Sequence, residues 1–196
     1  MSVRAAGTAR RFLALGDSYT IGTGASDESH SWPAIIAGKL NAQLTNPAVN
    51  GYTTLDLIRH ELPLLEELKP DLVTILIGVN DLVQGRTPDE YRRSLITIYG
   101  ELSGLRVGAI SIPTWSYVPA ASDFGGADRV DRLTKVFNAV AREEALARGF
   151  AWVDIGPVSV SRIGTGGWIA SDRLHPGDAQ YAAWAEVILP PLRDLV

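Results

Sequence analysis

Five short apolar runs alternate with five segments of helical periodicity, and no other feature restricts the fold of this chain so strongly. The runs span residues 12–15, 46–50, 72–77, 107–112 and 150–155. Around them, apolar residues recur at helical spacing. The sets are Trp32, Ile35, Ile36 and Leu40; Leu55, Ile58, Leu62 and Leu65; Tyr91, Leu95, Ile98 and Leu102. Val130, Leu133, Phe137 and Val140 follow, and then Tyr181, Trp184 and Ile188. Such alternation implies an α/β fold, a five-stranded parallel sheet with helices on both faces. The runs at 72–77 and 107–112 are apolar throughout, as strands buried on both sides are. "NPAVN" at 46–50 carries Pro47, which suits an edge strand. "TPDE" at 87–90 starts a helix, with Thr87 as N-cap, Pro88 in the first turn and Glu90 closing a capping box.

A chain of 196 residues is most simply one domain, 1–196, with residues 1–10 as an N-terminal extension. The net charge of −4 gives no basic footprint, so nucleic acid is not an expected partner. The absence of cysteine excludes disulfides, thiol catalysis and cysteine-held metals. "MSVRAAGTARRF" lacks the apolar core of a secretory signal, and no apolar run is long enough to span a bilayer. The expectation is a cytoplasmic protein with no membrane span.

In parallel sheets, ligands sit beyond the carboxyl ends of the strands. Four polar clusters fall there: Gly16-Asp17-Ser18, Asn50-Gly51-Tyr52-Thr53, Gly78-Val79-Asn80-Asp81 and Asp172-Arg173-Leu174-His175-Pro176. Together they hold a hydroxyl, an imidazole, a carboxylate and amide donors, the parts of an acyl-transfer site. A serine hydroxyl becomes a nucleophile only beside a general base, and histidine takes and returns a proton near neutral pH. Of three histidines, His60 reads as a solvated helix residue and His30 has no carboxylate at an obvious spacing. His175 follows Asp172 by three residues, close enough in a tight turn for the carboxylate to hold Nδ1–H. Backbone N–H groups of Ser18 and Gly51, with the Asn80 side chain, are the candidate oxyanion donors. Taken singly, each cluster also reads as a turn or helix cap. Four loops converging on one sheet edge with complementary chemistry favour the catalytic reading.

At these residues the sequence resembles the SGNH hydrolases, also called the GDSL esterase and lipase family. Block one is "ALGDSYTIG" with Ser18, block two "NGYTT" with Gly51, block three "GVND" with Asn80, and block five "DRLHP" with Asp172 and His175. Tyr19 stands where the family name has leucine, and Gly51 is followed by Tyr52-Thr53 rather than the frequent Asp-Thr, with Asn50 the neighbouring candidate. The resemblance implies a flavodoxin-like three-layer α/β/α fold and a serine esterase or lipase acting on a small-molecule ester. Ser18 would attack, His175 would act as base and acid, and Asp172 would orient it. Ser18, Gly51 and Asn80 would bind the oxyanion, with no metal or cofactor. Gly-x-Ser-x-Gly is absent, because Thr20 holds the final glycine's place; this argues against an α/β-hydrolase elbow.

Two long loops flank these clusters. Residues 113–128 carry Trp115, Tyr117 and Phe124, and residues 156–172 carry Trp168. With Val79, these aromatics are the expected walls of a substrate cleft, favouring an apolar or aryl ester. The rival readings are an acyltransferase using the same acyl-enzyme, a non-catalytic flavodoxin-like binding module, and a metal phosphoesterase, against which Asp17, Asp81, Asp172 and His175 show no recurring ligand spacing. "IGTGA" at 21–25 is only a weak phosphate-loop match without a lysine.

Overall fold

The computed structural model describes residues 9–196, so the expected extension at 1–10 lies almost wholly outside the described residues. In chain order the elements are β1 (Arg10–Gly16), α1 (Ser18–Ile21), α2 (Trp32–Leu40), β2 (Ala42–Thr45), α3 (Thr54–His60), α4 (Leu64–Leu68), β3 (Leu72–Leu76) and α5 (Val79–Val83). Then come α6 (Pro88–Glu101), β4 (Val107–Ile110), α7 (Ala127–Ala147), β5 (Ala151–Val153), α8 (Gly156–Ser159) and α9 (Asp178–Arg193). Short 3₁₀ turns cover Glu28–His30 and Pro119–Phe124.

All five strands pair in parallel, in the order β2-β1-β3-β4-β5. Every residue of β3 and β4 is buried. One covering layer is made by α2 and α9, the other by α3, α6 and α7. The chain leaves β1 outward to β2 and returns past it to β3, so the connections change direction between β1 and β3. That is the topological switch point of a flavodoxin-like sheet, where loops diverge and leave a crevice. Ser18 follows β1 and Asn80 follows β3, which brings two of the clusters to its sides.

Local chemistry explains the element ends. Thr87 and Glu90 form both bonds of the expected capping box, and Pro88 opens α6. Asn41 adopts φ 51°, so α2 turns directly into β2. This displaces the expected second strand. Residues 46–50 form a loop, in which Asn46 accepts from Ala48 N and donates to Thr20 O, while the edge strand is Ala42–Thr45. Among the described residues its one sheet neighbour is β1, and mostly half-exposed residues at an edge need no apolar run. The expected stripe from Leu55 to Leu65 is likewise interrupted, because Pro63 sits at the start of α4 and separates it from α3. Leu55 is exposed, and Leu57 carries the buried face of α3 instead.

Candidate active site

Strand β1 ends at Gly16, opposite Leu76 of β3. Its φ is 154°, and a Cβ there would lie 2.2 Å from Thr20 Oγ1 and 2.3 Å from the Leu76 carbonyl oxygen, so only glycine lets the turn pass this close. Asp17 accepts the Tyr19 N–H at 3.0 Å and caps α1, leaving Ser18 as its first residue, 7% exposed. Beneath the turn, Glu61 reaches back from the end of α3 and accepts the Gly16 N–H at 2.9 Å. Glu61 and Asp17 are both fully buried, and Glu61 Oε1 has no hydrogen-bond partner among the described residues. Burial pushes the Asp17 carboxyl up to about 7 and the Glu61 carboxyl up to about 8, against the pull of their N–H donors.

The loops after β2 and β3 are locked to one another. Asn80 Nδ2 donates to the Tyr52 carbonyl at 2.9 Å. The neighbouring Asp81, fully buried, accepts from Thr54 N at 2.9 Å and Thr54 Oγ1 at 2.6 Å. Arg86 closes this network with a 2.8 Å ion pair to Asp81 and a 2.9 Å bond to Thr54 Oγ1. Burial raises the Asp81 carboxyl, and the Thr54 donors and Arg86 oppose it.

In the loop before α9, Asp172 Oδ1 accepts the N–H groups of Leu174 and His175 at 2.9 and 3.0 Å. Its Oδ2 lies 2.6 Å from His175 Nδ1. Burial alone would raise the Asp172 carboxyl, but these donors and His175 outweigh it and hold it below its ordinary value. With Nδ1–H given to Asp172, the imidazole keeps Nε2 as its acceptor. Tyr19 packs edge-on against His175 at 6.0 Å, and Arg173 O accepts from Ala120 N, tying this loop to the 113–128 segment. Gly24 completes the assembly from the other side. A Cβ there would lie 2.5 Å from Pro176 O and 3.0 Å from His175 Cβ.

Ser18, Asn80 and His175 line one small cavity of about 50 Å³. Its apolar walls include Val79, Trp115 and Phe124, all singled out from sequence, together with Val83 and Leu174, which were not. Tyr117 and Trp168 are not among its lining residues. Trp168 is 1% exposed and donates from Nε1 to Ser159 O, and the Tyr117 hydroxyl bonds Gln180 Nε2, so both anchor their loops to the core. Gly51, with φ 83°, is exposed and lies outside that lining too; Tyr52 next to it is what reaches Asn80. Asn50 accepts from Thr23 Oγ1.

One histidine differs from its sequence reading. His30 does have a carboxylate: Asp27 Oδ2 lies 2.9 Å from its Nδ1, at the same three-residue spacing as Asp172 and His175. Ser26 Oγ is 3.2 Å from that nitrogen and 2.7 Å from Asp178 Oδ2. This group is solvent-exposed and lines no part of the Ser18 cavity. His60 is exposed, as expected, with its ring 5.7 Å from that of Tyr52. Glu61 and Arg86 had no functional reading in sequence, and Asp17 and Asp81 figured only within the polar clusters, as metal ligands at no recurring spacing. A glutamate beside Arg59 and His60 looks solvated, and only tertiary packing buries it.

Comparison with known proteins bears on the family and the fold. The sequence model of the GDSL-like Lipase/Acylhydrolase family matches residues 14–183. Esterase TesA of Pseudomonas aeruginosa is 25% identical over 199 residues, covering 96% of this chain and 90% of its own length. A crystal structure of TesA matches with a TM-score of 0.75 at 25% identity, over 95% of this chain and 100% of that one. An extracellular lipase from Streptomyces rimosus shares the fold at TM-score 0.74 and 20% identity, over 96% and 100% of the two chains. A carbohydrate acetylesterase family member from Sinorhizobium meliloti does so at TM-score 0.77 and 17% identity, over 95% and 98%. The flavodoxin-like sheet, the order of the four polar loops and the family match over most of the chain lead to one conclusion: this protein belongs to the GDSL-like lipase/acylhydrolase family of hydrolases.

Proposed function

We propose that this hydrolase cleaves carboxylic esters through an acyl-enzyme on Ser18. The observation that carries the reading is the cavity lined by both Ser18 and a His175 whose Nδ1 is 2.6 Å from Asp172 Oδ2. His175 Nε2 takes the proton of Ser18 Oγ as that oxygen bonds to the ester carbonyl carbon. The carbonyl oxygen becomes an oxyanion, received by the Ser18 N–H and the Asn80 amide, whereas Gly51, expected from sequence as a third donor, lies outside the cavity lining. Collapse breaks the ester C–O bond, and His175 returns its proton to the departing alcohol. Water then repeats the cycle on the acyl-enzyme, with His175 again the base, and releases the carboxylic acid. Asp172 stays ionised throughout and stabilises the imidazolium.

The Asn80 amide is held by two acceptors, the Tyr52 carbonyl at 2.9 Å and, at a longer 3.4 Å, Asp17 Oδ2, and an oxyanion in the cavity would compete for the hydrogen in the longer contact. Hydrolysis of p-nitrophenyl acetate and butyrate by wild type and by Ser18→Ala tests the reading. The expected result is a loss in kcat of about 10³-fold or more in Ser18→Ala. Equal turnover by the two proteins contradicts it.

A further inference from the structure

The cavity at Ser18 is small, and a much larger one lies on the other side of Trp115. About 500 Å³ in volume, the larger one is bordered by α7, β5 and α8, with Trp152, Pro157, Val160 and Ala139 among its apolar walls. That volume is in the ordinary range for small-molecule sites. Trp115 is common to the walls of both cavities. It is buried and held from two directions. Its Nε1 donates to Thr134 Oγ1 at 3.1 Å, and the Phe124 ring meets it edge-on at 5.5 Å. Thr134 lines the larger cavity and Phe124 the smaller, so the indole stands as a pinned partition between them.

We infer that Trp115, backed by Phe124, limits the substrate to short-chain acyl esters, of about two to four carbons in the acyl group, and closes off a larger pocket that would otherwise take a longer chain. The inference rests on Ser18 as the acylated residue. A water-sized group needs about 10–15 Å³ of such space, so a 50 Å³ cavity holds about four. That is the size of an acetyl to butyryl group. The walls beyond it are not compliant. Trp115 cannot swing without breaking its bond to Thr134, and closely packed interiors resist added methylenes. An octanoyl chain directed toward Trp115 therefore has no room unless the partition moves. The aryl and apolar preference expected from the loop aromatics is narrowed accordingly: the aromatic rings bound the acyl site rather than extend it.

The test is a series of p-nitrophenyl esters from acetate to decanoate, used as soluble monomers, with wild type, Trp115→Ala, Trp115→Phe and Phe124→Ala. The readout is the ratio of kcat/KM for octanoate to that for butyrate within each protein, which does not depend on the fraction folded. In wild type the ratio is expected to be about 0.1 or lower, the discrimination a few methylenes give against an apolar wall. Trp115→Ala is expected to raise it by about tenfold or more, by joining the two cavities. Phe124→Ala carries the same test if removing the indole prevents folding, since it widens the Ser18 cavity from its half-buried side; Trp115→Phe should fall between.

A wild-type optimum at octanoate or longer overturns the inference while leaving Ser18 as nucleophile. So does a short-chain optimum whose ratio is the same in every variant, because the partition would then play no part. Activity that survives Ser18→Ala overturns the serine mechanism itself and the inference with it, and the two failures are distinguished by that variant alone.

Discussion

Glu61→Gln gives a direct reading of the buried acid beneath the serine. In the folded chain this carboxyl is fully buried, touches one donor through Oε2 and leaves Oε1 without a partner among the described residues. Burial, helped by the nearby Asp17 charge, raises it from an ordinary 4.5 to about 8, against the Gly16 N–H. An acid whose folded-state value is raised keeps a proton that the unfolded chain has already lost. Between pH 4.5 and 8 the folded state therefore binds more protons, and stability falls as pH rises through that window. The contribution is fully present below 4.5 and fully lost above about 8. At about 1.4 kcal/mol per pH unit the whole window amounts to roughly 5 kcal/mol, and the part between pH 5 and 8 to roughly 4. Asp17 acts in the same direction, from 3.8 to about 7, and stays in place in the variant. Glutamine keeps the oxygen that accepts from Gly16 and cannot ionise. Urea unfolding at pH 5 and at pH 8 on both proteins measures the difference. Wild type is expected to lose about 2–4 kcal/mol more than Glu61→Gln over that step, the lower figure allowing for relaxation around the charge. Parallel losses in the two proteins would refute the argument, because Glu61 would then hold no proton of its own.

Other perturbations follow from the same contacts. Arg86→Ala strips the cation from the fully buried Asp81 and should cost about 3–5 kcal/mol in urea unfolding; a loss below about 1 would mean that Thr54 alone satisfies the carboxylate. Gly24→Ala forces a Cβ to within 2.5 Å of Pro176 O and 3.0 Å of His175 Cβ, at φ 96°. It should lower kcat about 10²-fold by displacing the imidazole, and unchanged kcat in a folded variant would show that the His175 loop does not depend on this contact. Trp168→Phe removes the bond to Ser159 O, which Gln180 Nε2 still serves at 3.2 Å. About 1 kcal/mol of stability should go with no change in acyl-chain preference, whereas an altered preference would return Trp168 to the substrate site.

The parts of this protein legible in its sequence are those whose chemistry is local. Buried strands announce themselves as unbroken apolar runs, and the Thr87 capping box is a four-residue pattern that folds as read. Asp172 and His175 meet within one turn, so their spacing alone brings imidazole and carboxylate together. What stayed hidden depends on distant neighbours. Strand β2 is half-exposed at an edge and needs no apolar signature, while Pro47, the apparent edge marker, lies just beyond it. Glu61 is buried by contact with a glycine 45 residues away. Trp168 and Tyr117 sit in loops that look open to solvent, yet Ser159 and Gln180 draw them inward through hydrogen bonds no spacing rule foresees. Asp27 and His30 share the spacing of Asp172 and His175, but only the latter pair comes to the serine; spacing makes a pair, and topology decides which pair faces the cleft.

The central claim is that Ser18 is the residue acylated, and covalent labelling with a fluorophosphonate followed by peptide mass spectrometry tests it most directly. Cleavage after Arg11 and Lys39 yields a peptide, residues 12–39, that holds Ser18 together with Ser26, Ser29 and Ser31. Fragment ions therefore discriminate the cavity serine from Ser26, which lies beside His30 and Asp178 on the surface. The account predicts a single phosphonyl adduct on Ser18 that is lost in His175→Ala. An adduct on Ser26, or labelling of Ser18 that is indifferent to His175, would contradict it.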